Sequence, residues 1–144
     1  MDLDPENPVV KLCVAGMQAE AQGKMQVAHD LFQQAWEQHQ DDFEACIAAH
    51  FLARQLPDPA DILHWNQQAV FFADQVGDER VSGFYPSLYL NLGWSYEQLG
   101  ALDMARQQYQ KAAELVAALP EGPYREVVEK GIQAGTQRVT SSEK

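Results

Sequence analysis

Small, apolar and polar positions recur along this chain at helical spacing, and one stretch of the pattern returns after 77 residues. Gly16, Gly23, Ala28, Phe32 and Ala35 are matched by Gly93, Gly100, Ala105, Tyr109 and Ala112. Four of the five pairs are identical, and the fifth exchanges one ring for another. Residues three, four and seven apart share a helix face, so small and aromatic residues at these gaps describe one helix packing into another. The second glycine of each set stands where one helix stops and the next starts. A repeated helix, tight turn and helix is the building block of a stacked array.

Breakers and caps divide the rest of the chain. Asn7-Pro8 opens a first helix running to about Gln22, Gly23 makes the turn, and Lys24 to His39 forms its partner. Asp41-Asp42 caps a third helix over 43–55, which Leu56-Pro57-Asp58-Pro59 cannot continue. Asp58 caps a fourth helix, with Pro59 at its first position and its end near Gly77. The insertion from Gly77 to Pro86 reads either as an Asp-capped helix start interrupted at Pro86 or as a loop carrying Phe84 and Tyr85. Helices over 87–99 and 102–118 follow. After Pro120-Glu121-Gly122-Pro123, the set Val127, Val128, Gly131, Ile132 and Ala134 predicts a final helix over 124–138. Thr140–Lys144 is expected to be disordered.

At residues 86–119 the pattern resembles the tetratricopeptide repeat: Tyr89, Leu92, Gly93, Tyr96, Gly100, Ala105, Tyr109 and Ala112 stand in its slots. Residues 9–42 are a looser copy, with Leu12, Ala15, Gly16 and Ala19. Residues 43–76 form a degenerate copy at an offset of 34, keeping Cys46, Ala49, Ala53 and Ala69. There His50, Pro57, Ile62 and Asn66 replace the two glycines, the alanine and the ring, and Trp65 stands beside Asn66 as a candidate to fill the ring's space. The resemblance implies an all-α, right-handed superhelix of three helix pairs in a single domain over 1–144, closed by a capping helix. It implies fold far more than function, since this family is a scaffold with many clients.

Charge narrows the possible partners. The net charge of −11 comes from 21 acidic residues against ten scattered Lys and Arg. A phosphate backbone or an anionic membrane would be repelled, so neither nucleic acid nor membrane is expected as a partner. The acidic balance reads as a solvated surface or as a preference for basic partners. Met1–Asn7 is polar and unlike a signal peptide, and no stretch reaches membrane-span length, so the expected compartment is the cytoplasm. Cys13 and Cys46 have no metal-type spacing and read as reduced packing residues.

No phosphate loop, His-Glu-x-x-His, Cys-x-x-Cys or nucleophile elbow appears, so no enzyme, cofactor or metal is expected. His29 and His39 read as exposed, and His50 as a hydrogen-bonded packing residue one turn from Cys46. In the family resembled, first helices line a concave face, and the residue after the glycine slot points into it. Those residues here are Met17, Phe51, Trp94 and, on the final helix, Ile132. Glu20, Arg54 and Glu97 form a polar edge, with Ile47, Leu90 and Asn91 a turn earlier. Two readings stand open: Met17, Phe51 and Trp94 pack as core, or they form an exposed groove of the composition that binds proteins. Asn91 matches one member of the family's carboxylate clamp, but Cys13, Val14, Ser87 and Leu90 stand where its basic members would be, so chaperone-tail binding is not expected. The expectation is a non-catalytic scaffold or adaptor for a peptide, helix or subunit. The alternatives are a structural homodimer through the groove or the 77–86 insertion and, more remotely, a small-molecule sensor.

Overall fold

The computed structural model describes residues 3–54 and 56–141, and these form an all-helical, repeat-like fold of paired helices. In chain order the helices are α1 (Pro8–Ala21), α2 (Met25–Gln38), α3 (Asp42–Leu52), α4 (Pro59–Val76), α5 (Glu79–Ser82), α6 (Tyr85–Gln98), α7 (Leu102–Val116) and α8 (Pro123–Ser141). The chain divides into two compact units, Met1–Val81 and Ser82–Lys144.

In the first unit α1 packs against α2, α3 against α4, and α3 also meets α1 and α2. Asn7 starts α1 by accepting hydrogen bonds from the amides of Val9 and Val10 at 2.8 and 3.1 Å. Its amide nitrogen also donates to Glu44 at 2.8 Å, which ties the starts of α1 and α3 together. Asp41 accepts from the Glu44 amide, while the Glu44 carboxylate reaches back to the amide of Gln40. Asp58 accepts from the Ala60 amide, and Pro59 occupies the first turn of α4. Gly77 ends that helix at φ 63°, a conformation that glycine adopts at little cost. The core holds Val9, Val10, Cys13, Phe32, Ile47 and Leu52.

The second unit packs α6 against α7 and lays α8 across both. Ala105, Tyr109 and Val139 form one buried cluster, and Ala112, Val128 and Ile132 form another. At the start of α8, Tyr124 donates to the Gly83 carbonyl at 3.0 Å and shares a hydrogen bond with Ser87 at 2.5 Å.

The repetition read from sequence reappears as the same construction in each unit. Gly23 and Gly100 share a φ of 77°. The amides of Gly23 and Lys24 donate to the carbonyls of Glu20 and Ala19, each at 2.9 Å, and those of Gly100 and Ala101 donate to Glu97 and Tyr96, each at 3.0 Å. A methyl group on Gly93 would meet the Tyr109 ring at 2.6 Å, and one on Gly16 would strike the Phe32 ring. Each first helix thus lacks a side chain where a ring of its partner lies against it, which is why glycine stands in both slots.

Three expectations change. The insertion follows the first of its two readings, one helical turn, α5, capped by Asp78 at the Arg80 amide, but the interruption falls at Gly83-Phe84 rather than at Pro86. Trp65, the candidate for the missing ring's space, packs edge-on to Trp36 of α2, and Asn66 in the ring's slot is itself buried. The final helix runs past Arg138, so Thr140 and Ser141 are helical because Val139 is fully buried against Ala105 and Tyr109. Residues 142–144 of the expected disordered tail lie outside those described.

Candidate partner-binding faces

The residues expected to line a groove divide between core and surface. In the first unit Phe51 is only 6% exposed and stacks on Phe32 with ring centroids 5.3 Å apart. Ile47 is wholly buried, and Met17 is half-buried. The expectation of an open apolar ladder is therefore corrected for Phe51 and Ile47, whose positions on α3 turn them into the junction with α1 and α2. Glu20 and Arg54, the two polar-edge residues, join each other at 3.1 Å, and the Arg54 guanidinium lies over the Phe51 ring at 5.9 Å. This edge is a lid on the buried ring.

His50, in the slot that elsewhere holds glycine, turns its ring edge-on to Phe51 at 5.0 Å. Burial, and then the nearby Arg54 charge, pull its pKa down to about 4, so at neutral pH the imidazole is neutral. Burial pushes both thiols up to about 12, aided at Cys46 by the charge of Asp74, so neither is a reactive thiolate near neutrality. Among the described residues no group of three or more His, Cys, Asp or Glu is placed to hold a metal.

In the second unit Ile132 is buried with Ala112 and Val128, so it too leaves the surface set. Leu90 and Asn91 are half-buried, and Leu90 closes against Gly131, where an added methyl would meet it at 2.8 Å. Trp94 is different: it is 45% exposed. The Arg138 guanidinium sits over its ring at 5.4 Å. That guanidinium also donates to Glu97 at 2.8 and 3.2 Å, and Tyr109 donates to the same carboxylate at 2.7 Å. Burial would raise the Glu97 pKa, but the bonds from Arg138 and Tyr109 outweigh it and hold the carboxyl below its ordinary value. Burial and the bond to Glu97 push the Tyr109 phenol up. A core ring, a carboxylate, a guanidinium and a surface indole are thereby linked in one chain of contacts. The guanidinium lies over the indole, and much of the ring stays open to solvent.

Sequence reasoning placed Trp94 and Glu97 but missed Arg138. Its signal was the seven-residue spacing from Gly131, two turns along the same face of α8. The rings around Trp36 were missed as well. That side chain meets Trp65 at 4.9 Å, Phe72 at 5.8 Å and His39 at 4.4 Å. His39, expected to be exposed, is half-buried at the end of α2.

No helix among the described residues is long and apolar enough to cross a membrane. No protein-family model matches the chain, and no curated protein matches it.

Proposed function

We propose that this chain is a non-catalytic protein-interaction module of the tetratricopeptide-repeat type. Its three helix pairs form a right-handed array closed by α8, and it serves as a cytoplasmic adaptor. The partner is a peptide, helix or subunit that docks on the first-helix face and anchors on Trp94. The observation that carries this reading is the half-open indole of Trp94 with the Arg138 guanidinium over its ring. A large aromatic loses little entropy for its area when a partner covers it, which is the character of an interaction hot spot.

The test compares the parent with Trp94→Ala in affinity capture from native lysate, with light scattering over a dilution series. The substitution is expected to remove the captured partner while costing less than about 1 kcal/mol of stability, since the ring is partly solvated already. A mass that doubles with concentration in the parent and not in the variant would assign the face to a homodimer instead. Unchanged capture by a folded Trp94→Ala protein would sink the assignment of Trp94.

A further inference from the structure

Charge is unevenly spread along the chain. Met1–Val81 carries 14 acidic and four basic residues, whereas Ser82–Lys144 carries seven and six. Within the first unit, α1 and α3 begin where α2 and α4 finish. Nine carboxylates belong to residues at or near these four helix ends: Asp4, Glu6, Glu37, Asp41, Asp42, Glu44, Asp74, Asp78 and Glu79. The two cations among the described residues there are engaged, Lys11 with Glu6 at 3.4 Å and Arg80 with Asp78 at 3.0 Å. The closing carbonyls of α2 and α4 add partial negative charge at the same end.

A cleft of about 420 Å³ opens at this end. Pro8 and Val9 give it an apolar side, Glu37 and Glu44 give it two carboxylates, and His39 stands in its lining. The other side of His39 belongs to the ring cluster: it lies 4.4 Å from Trp36 and 6.3 Å from Phe72. Phe72 in turn meets Phe71 edge-on at 5.2 Å, and Phe71 is 53% exposed. The His39 ring is held by a contact to the Trp36 carbonyl. An acidic cleft thus borders an aromatic patch through one shared imidazole.

We infer that this end of the first unit docks a Lys/Arg-rich protein segment, one basic side chain entering the cleft between Glu37 and Glu44 and a neighbouring apolar residue covering Phe71. Charge complementarity selects the occupant. A cation entering the cleft meets two carboxylates, and the stem of a Lys or Arg lies along Pro8 and Val9. An acidic or neutral segment gains none of this, and an acidic one meets repulsion from the surrounding carboxylates. This surface lies on other residues than those around Trp94, and the inference stands whether or not the Trp94 face binds a partner.

The probe is a fluorescein-labelled peptide of Lys, Arg and Leu, about four helical turns long, with a Glu-for-Lys/Arg peptide of equal length as control, read by anisotropy against the full chain. The basic peptide is expected to bind, more weakly as salt rises, and the acidic peptide is expected not to bind. Glu37→Gln with Glu44→Gln should weaken binding about tenfold. The single amide oxygen that Gln brings to position 44 can accept from Asn7 or from Gln40 but not from both, as the two carboxylate oxygens do, and circular dichroism checks the fold. Asp58→Asn with Asp61→Asn removes equal charge at the opposite end of α4 and keeps an Asn cap, and it should leave affinity within about twofold. Phe71→Ser should weaken binding without moving the melting temperature. No binding of the basic peptide, equal losses in the two charge pairs, or loss on Trp94→Ala alone would each overturn the inference. The second of these would mean diffuse attraction, and the third would move the peptide to the other face.

Discussion

At the scale of single residues, stability rests on places where a side chain is missing. Gly135 of α8 and Gly93 of α6 both lie against the Tyr109 ring. Alanine is the better helix former by about 1 kcal/mol, so Gly135→Ala would stabilise an isolated helix. Here its methyl group would strike the ring, and the net effect is expected to be a loss of roughly 1–3 kcal/mol in a thermal melt. A melting point above the parent's would mean that the ring has room. His50 gives the second residue-scale expectation. Its pKa is near 4 in the fold and 6.5 in the unfolded chain, so between these values the unfolded state binds more protons. Its contribution is complete above pH 6.5 and is lost as pH falls toward 4, on the order of 2–3 kcal/mol. His50→Gln should flatten that part of the stability–pH curve. Identical slopes for parent and variant between pH 4 and 6.5 would refute a half-buried imidazole held neutral by the fold.

At the scale of elements, the two turns through Gly23 and Gly100 and the ring-on-glycine contacts were legible, because a glycine and an aromatic at that fixed spacing fit together in few ways besides ring against backbone. The end of α8 was not. Val139 looks like an isolated apolar residue in a polar tail, and its burial depends on Ala105 and Tyr109, thirty or more residues earlier in the chain. The roles of Phe51 and Ile132 were ambiguous for a similar reason: a groove residue and a junction residue occupy the same helical slot, and only the neighbouring element decides between them. Three truncations test the reading of α8. A chain ending at Ser141 should melt with the parent, whereas one ending at Arg138 lacks the buried Val139 and should lose about 1–3 kcal/mol. Removing all of α8 strips cover from Ala112 and Tyr109 and is expected to produce aggregation by size-exclusion chromatography. A soluble, equally stable protein without α8 would show that the helix is a free arm.

At the scale of the whole molecule, the sequence's acidity proved to be a property of one part of the chain. The net charge of −11 gave no hint that nearly all of it belongs to Met1–Val81, because the division at Val81 falls inside a four-residue helix with no linker-like composition. Like charges crowded on one small unit oppose its compaction, and salt relieves this. Hydrogen exchange at low and moderate ionic strength should therefore show protection rising with salt in α1 to α4 and hardly changing in α6 to α8. Equal responses would mean that local ion pairing, rather than regional net charge, sets the salt dependence. The all-helical class was readable throughout, whereas the cleft beside His39 was not, since its walls come from three separate segments.

The contact between Tyr109 and two glycine backbones has a consequence in time. An aromatic ring turns over about its axis only when its surroundings part by roughly an ångström or more, and close packing resists this. Tyr109 is confined by main chain, which cannot step aside as a side chain can, and its hydroxyl is tethered to Glu97. Each half-turn of the ring therefore requires α6 or α8 to draw back from α7. The exchange rate of its two edges in a nuclear magnetic resonance spectrum becomes a clock for the breathing of the second unit, and a partner that clamps Trp94 should slow it.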